Sequence, residues 1–282
     1  IKIEYSDRYH IIENNILQHL NGDGICWDYG NESGNGIISN NQIRQATKDG
    51  MNISNNNKIE LTGNTIKRAG DDGMYIYKVN QTLIKNNDID SSGNNGISMD
   101  TWDQSIQTQI IGNTITQSDD NGIFFEEGIE SLVKDNEITG NRDGIYVSTT
   151  SELPVTDSLI NNTITGNQDN GIEVRDYGKV VANQNTIHGN GEYDFANHST
   201  AWDELDARKN YWGESTTTEM DTGSNPKNIT KIYDQYDEST IGFVNYGKWL
   251  GDPVSKLEIE ENPSDRLICP NTDTRFNITA SG

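Results

Sequence analysis

An asparagine with an apolar residue two places after it recurs along this chain at Asn14, Asn41, Asn64, Asn87, Asn113, Asn136, Asn162, Asn185 and Asn210, in steps of 27, 23, 23, 26, 23, 26, 23 and 25 residues. The following apolar residue is isoleucine in every copy but the last, where Trp212 stands. Three residues before each asparagine lies another apolar side chain: Ile11, Ile38, Leu61, Ile84, Ile110, Val133, Leu159, Ala182 or Ala207. A unit of this size cannot bury an apolar face alone, so units repeated in this way must stack on one another. The repeat constrains the fold more than any other feature of the chain.

A second column is a glycine followed by an apolar residue: Gly24-Ile25, Gly50-Met51, Gly73-Met74, Gly96-Ile97, Gly122-Ile123, Gly144-Ile145 and Gly171-Ile172, with Asp194-Phe195 as a degenerate eighth copy. Each follows a polar Asn/Asp cluster and opens a few alternating residues, the pattern of a short strand leaving a turn. The unit then reads strand, turn, strand, asparagine turn, with no helical periodicity. Leucine-rich repeats share the period but need leucines that are absent here. The expectation is an all-β chain, a right-handed parallel β-helix of about eight coils over residues 1–213, stacked at roughly 4.8 Å per coil. Asparagines buried at equivalent turns can bond the backbone and one another, which satisfies polar groups where the core is thin.

Composition agrees with a thin core: 32% of the 282 residues are hydrophobic and the mean hydropathy is −0.78. Forty-four acidic against 21 basic residues give a formal charge of −23, which argues against nucleic acid as a partner because phosphate must be neutralised on binding. Acidic polysaccharides are repelled too, unless a divalent cation or a local basic patch intervenes. No run of 18 apolar residues is present, so no membrane-spanning segment is expected in this chain. Cys26 and Cys269 lie far apart and suggest no disulfide framework or metal site, and His10, His19, His188 and His198 show no metal-ligand spacing. The chain opens with the strand-like "IKIEYS" and no methionine, as an internal cut of a longer protein would.

The coils are expected to end at "LDARKNYWG", residues 205–213, where bulky Tyr211 and Trp212 replace small and branched residues and can cover the open end of the stack. Residues 214–251 read as an irregular cap folding back on that end. Residues 252–282 are punctuated by proline and read as a linker and the opening strands of a β-sandwich module, too short to own a core.

The Asn-x-Ile and Gly-Ile repeats, closing on Asn210-Tyr211-Trp212-Gly213, resemble the right-handed β-helix repeat family that includes NosD-like periplasmic proteins, pectate-lyase-like folds and other sugar-acting proteins. The acidic, asparagine-rich coils are also similar to archaeal surface β-helix proteins of the disaggregatase type, and "VSKLEIEENP…FNITASG" resembles immunoglobulin-like surface domains. The resemblance covers roughly residues 1–250 and implies an extracellular or cell-surface protein acting on polysaccharide. In its pectate-lyase-like members, elimination relies on Lys or Arg together with Ca²⁺.

Strand alternation after each glycine sends one residue inward and the next outward. Two outward columns result: Cys26, Asn52, Tyr75, Ser98, Phe124, Tyr146, Glu173 and Ala196, and Asp28, Ser54, Tyr77, Asp100, Glu126, Ser148, Arg175 and His198. Asp100 and Glu126 fall on adjacent coils, close to the carboxylate separation of retaining glycosidases, and are the candidate catalytic pair. Tyr75, Tyr77, Trp102, Phe124 and Tyr146 are candidate platforms for sugar rings, with Glu127 and Glu173 as further binding residues. Asp103, Glu127 and Asp176 thicken the acidic patch. Arg175 is the candidate neutraliser of a substrate carboxylate in an elimination reaction; a surface pair with Glu173 or Asp176 is the stronger expectation for it. No cofactor is required, though Asp100, Asp103, Glu126 and Glu127 offer the hard oxygens that Ca²⁺ takes. Carboxylates also meet by chance on so acidic a rod, and exposed aromatics stabilise strands by cross-coil packing. A polysaccharide hydrolase or lyase is therefore weighed against a non-catalytic glycan-binding or structural rod. A metallocofactor accessory role ranks last, for want of a His/Met/Cys cluster.

Overall fold

The computed structural model of the chain describes residues 1–4, 9–28, 34–100, 106–127, 129–150, 156–201 and 203–254. It is a parallel β-solenoid of about eight coils, and every pairing between its named strands is parallel. Each full coil presents strands on three faces, the first two joined in one continuous strand in the coils of Met51–Thr62 and Met74–Lys85. In one coil these are Ile97–Asp100, Ile106–Ile111 and Thr114–Thr116. The third-face strand, which begins just after each ladder asparagine, makes three strands per coil where the sequence suggested two. Three residues such as Thr-Ile-Thr are too short to display alternation by themselves.

Apolar residues of successive coils stack in register. On the first face Met74, Ile97, Ile123, Ile145, Ile172 and Phe195 follow one another. On the second face the column runs Ile38, Leu61, Ile84, Ile110, Val133, Leu159 and Ala182, and on the third Ile66, Ile89, Ile115, Ile138, Ile164 and Ile187. All of these are buried, and each isoleucine removed from water contributes about 2 kcal/mol. The faces meet at corners where non-glycine residues adopt left-handed backbone, as at Asn55 and Lys78 inside the long strands Met51–Thr62 and Met74–Lys85.

The asparagine ladder forms at buried turns. Asn64 donates its backbone N–H and its Nδ2 to Asn87 Oδ1, at 2.8 and 3.0 Å, and also donates Nδ2 to Ile38 O at 2.9 Å. In the first coil the ladder residue is Asn15, which donates to Asn41 Oδ1, and the stacked apolar residues are Ile12 and Leu17. The sequence had suggested Asn14, Ile11 and Ile16; Ile11 and Ile16 lie exposed. Doubled residues in "IIENN" fit the repeat in two registers, and only strand pairing decides between them.

A second, unexpected ladder occupies the position before each glycine and runs in the opposite sense. Asp49 Oδ1 accepts from Asp72 N, Asp72 Oδ1 from Asn95 N and Asn95 Oδ1 from Asn121 N. The glycines that follow are demanded by close approach. A Cβ on Gly96 would sit 2.6 Å from Gly122 O and 2.4 Å from Ile115 Cγ2.

The C-terminal end is capped as expected around Trp212, which is fully buried. The cap is more regular than its sequence suggested. A helix spans Gly213–Asp221 and buries Met220, while Ile232–Tyr233 and Val244–Asn245 pair in parallel with Phe195–Ala196 and Leu205–Asp206, adding a partial coil. The helix escaped notice because it is a single short segment with only Thr216 and Met220 buried, leaving no apolar period to detect. Most of the expected β-sandwich segment, from residue 255 onward, lies outside the described residues. Among the described residues no helix is long and apolar enough to cross a membrane.

Candidate functional site

The outer surface of the first face holds both columns read from the alternation. Ser98 pairs with Tyr75 on one side and Phe124 on the other; Asp100 pairs with Tyr77 and Glu126. The columns continue through Phe124–Tyr146 and Glu126–Ser148, then Tyr146–Glu173 and Ser148–Arg175, and end at Ala196 and His198. Asp100 and Glu126 therefore occupy equivalent positions on neighbouring strands, roughly 4.8 Å apart at the backbone. Tyr77 lies beneath the pair and Ser148 above it. Glu126 is exposed, whereas Asp100 retains only 9% of its accessible surface.

The aromatic residues form two groups. Tyr75 and Tyr77 lie nearly parallel with centroids 6.2 Å apart, and Lys78 Nζ stands 5.1 Å from the Tyr77 ring. Phe124 and Tyr146 tilt against each other at 5.5 Å, and the Arg175 guanidinium is 6.0 Å from the Tyr146 ring. Burial, helped by the charge of Asp100, pushes the Tyr75 phenol up to about 12. Tyr146 is raised as well, again chiefly by burial. Both rings stay neutral and offer half-exposed faces. Trp102 and Asp103 lie outside the described residues.

Not all of the outward column is exposed. Ser98 is covered between the larger Tyr75 and Phe124, and Ala196 lies between Glu173 and Tyr233. Glu173 is buried to 3%. Its carboxylate accepts from Asn170 Nδ2 at 3.0 Å and from Arg175 Nε, with His198 Nε2 at 4.0 Å. Desolvation is the main force lowering the affinity of His198 for its proton. Arg175 is thus engaged with Glu173, the partner the sequence favoured for it, but the pair is half inside the fold because the glutamate is buried. Glu127 takes left-handed backbone at the corner after Glu126, and its carboxylate accepts from the hydroxyls of Thr149 and Thr150. Asp176 accepts from Ser148 Oγ at 2.6 Å.

The carboxylate cluster with metal-like spacing lies elsewhere. Asp49, Asp71 and Asp72 bring ligand oxygens within 4.8 Å of one another in the turn before the first face; among the described residues Asp100, Glu126 and Glu127 form no such group. Burial raises Asp49 to about 7 and Asp72 to about 6. Their oxygens accept hydrogen bonds from Asn52, Asn94 and Asn95, so the ladder itself accounts for them. The cluster was legible only as "KDG" and "DDG" before two of the column glycines, where an Asp looks like any turn residue.

The "Right handed beta helix region" family matches residues 1–160, and the family described as "Periplasmic copper-binding protein (NosD)" matches residues 103–229. No curated protein matches the chain. Among solved structures the Dettilon tailspike protein aligns at 14% identity and a TM-score of 0.38, over 87% of this chain and 61% of that one. The chain thus spans less than two thirds of that tailspike's length. Among the described residues no histidine or cysteine joins a group of three metal-type ligands. With its stacked coils and a family match over more than half of its residues, the chain belongs to the right-handed β-helix family.

Proposed function

We propose that the first face is a polysaccharide-binding groove of an extracellular or cell-surface protein, and that Asp100 and Glu126 cleave a glycosidic bond held there. The observation that supports this most is the register of Asp100 beside Glu126. Side chains on strands about 4.8 Å apart lie near the roughly 5 Å separation that retaining hydrolysis uses, one group acting as acid and the other as nucleophile. Phe124 with Tyr146 and Tyr75 with Tyr77 supply apolar ring faces on both sides of the pair along the rod axis. Glu127 and Glu173 border the groove, Glu173 through its hold on Arg175. That hold weighs against elimination, because a guanidinium engaged by Glu173 must first be released to neutralise a uronate.

Two readings compete with hydrolysis. In one, the groove holds glycan without cutting it, which the near-complete covering of Asp100 favours. In the other, Ca²⁺ drawn to Asp100, Glu126 and Glu127, whose carboxylates form no three-ligand group as they stand, bridges the protein to an acidic sugar. Release of reducing ends from a panel of polysaccharides, with Ca²⁺ and with chelator, separates them. Hydrolysis requires that Asp100→Asn and Glu126→Gln each abolish release while the fold melts unchanged. If neither variant loses activity, or if no polysaccharide is cut under either condition, catalysis by this pair is wrong. A loss of affinity in Tyr146→Ala without any cleavage by the parent protein establishes the binding reading.

A further inference from the structure

On the third face, a cleft of about 440 Å³ is lined by Gln18, His19, Arg44, Gln45, Lys67, Arg68 and Asp90. Three cations line it against the one carboxylate of Asp90, and with Lys67 ion-paired to Asp88 one net positive charge remains, in a protein whose formal charge is −23. The charges are brought together by register. Arg44 pairs with Lys67 across adjacent strands, and Lys67 with Asp90 on the next coil.

Elsewhere among the described residues the arginines are neutralised. Five fall within the described residues, and three of them are paired: Arg142 with Asp120, Arg175 with Glu173 and Arg208 with Asp206. The remaining two, Arg44 and Arg68, have no carboxylate within 4.0 Å among the described residues, and both line this cleft. Arg44 makes only a long 3.5 Å contact to Gln42 Oε1. Lys67 is shared with Asp88 at 3.2 Å, and Asp90 is already occupied by the hydroxyls of Ser91 and Thr116 at 3.1 and 3.2 Å. In so acidic a chain, two guanidiniums left without counter-charges in one cleft are poised for an external anion.

The backbone adds a separate observation. The corner position of His19, Gln45 and Arg68 is left-handed in successive coils, at φ 52°, 57° and 60°. The same corner is filled by Gly140, Gly166 and Gly189 in the later coils, where glycine meets this conformation without steric cost. The early coils instead place long polar side chains there, against the local conformational preference, and those side chains line the cleft.

We infer that this cleft binds the carboxylate or sulfate groups of an acidic polysaccharide, with Arg44 and Arg68 as its principal ligands. Guanidinium forks match planar and tetrahedral oxyanions in bidentate geometry, and glutamine amides beside them suit sugar hydroxyls. A site of this kind also supplies the local positive charge that an acidic rod needs to hold an acidic glycan. The polysaccharide part of the inference rests on the reading of the first face. The anion site itself rests only on the cleft.

Affinity of the full chain for polygalacturonate and chondroitin sulfate, with dextran and duplex DNA as comparison polymers, tests this by titration calorimetry at two salt concentrations. The acidic polysaccharides are expected to bind, dextran not to bind at the cleft, and Arg44→Gln and Arg68→Gly each to weaken binding about tenfold, one charge-assisted contact apiece. Arg68→Gly also places glycine in a left-handed corner, so its melting temperature is expected to hold or rise, which separates lost binding from lost folding. Lys85→Gln, on the second face, is expected to change nothing. Equal affinity in the arginine variants, equal weakening by Lys85→Gln, or DNA bound as tightly as the acidic glycans would overturn the inference. Asp100→Asn and Glu126→Gln report on the first face independently, so either site can fail while the other stands.

Discussion

Asn136 Oδ1 accepts two hydrogen bonds from Asn113 on the preceding coil, from its backbone N–H at 2.8 Å and from its Nδ2 at 2.9 Å. Asn136 in turn donates its own Nδ2 to Ile110 O at 2.8 Å and to Asn162 Oδ1 at 3.0 Å. One side chain thus completes the polar groups of three coils in a place water does not reach.

Replacing Asn136 with alanine strands the backbone N–H of Asn113, and each buried polar group left without a partner costs about 1–3 kcal/mol. Loss of the bonds to Ile110 and Asn162 adds to that. A destabilisation of about 2–5 kcal/mol is expected, read as an earlier midpoint in chemical denaturation. A change below about 1 kcal/mol would show that the ladder follows from stacking and does not support it.

Gly96→Ala is expected to be more severe than its single methyl suggests. The new Cβ meets a backbone oxygen at 2.6 Å, and backbone held by two neighbouring coils cannot yield as a side-chain tip can. Loss of soluble protein, or a fall of several kcal/mol in stability, is the expected result. Gly223→Ala, at a cap position with nothing within 4 Å of its Cβ but a φ of 80°, tests strain without collision and should cost only about 1 kcal/mol.

Asp157 is buried inside the solenoid, where its Oδ1 accepts from the Ser131 N–H at 3.0 Å and the Ser131 hydroxyl at 2.6 Å. Burial holds its proton up to about 7. In the unfolded chain the same group ionises near 4, so below that pH both states are protonated and the fold pays no penalty. Between about 4 and 7 the unfolded state gives up the proton first, and stability falls as pH rises, by on the order of 4 kcal/mol in full. Asp157→Asn is expected to melt well above the parent at pH 8 and close to it at pH 4. Equal differences at both values would refute the assignment.

Arg175→Met removes the main cation beside the buried Glu173 carboxylate. Breaking one side of a buried pair is costly, but Arg175 is half exposed, so about 2 kcal/mol is expected. Adding Glu173→Leu should recover most of it, as an apolar replacement of both partners does. If the double variant is no more stable than the single one, the pair is not what holds this part of the face.

Much of this molecule was legible because a solenoid turns sequence period into spatial neighbourhood. Asp100 and Glu126 were matched from spacing alone, and strand pairing put them side by side. The error at Asn14 had a local cause, since a doubled asparagine carries no register of its own. The burial of Glu173 and Ser98 depends on which larger neighbours overhang them, and alternation states only direction. The cleft of Arg44, Lys67 and Arg68 went unseen because the segments Gln42–Ala46 and Thr65–Ala69 read as part of the asparagine turn, and a third face was needed to bring their charges into register.

By itself, then, the sequence determined the stack. Recurring Asn, Gly and Ile leave a chain poor in apolar residues no other way to satisfy its turns and bury its isoleucines. Tertiary structure decided which charges are free. Whether an arginine meets a carboxylate depends on side-chain reach around corners and across coils, a matter of three-dimensional distance that no spacing of letters encodes.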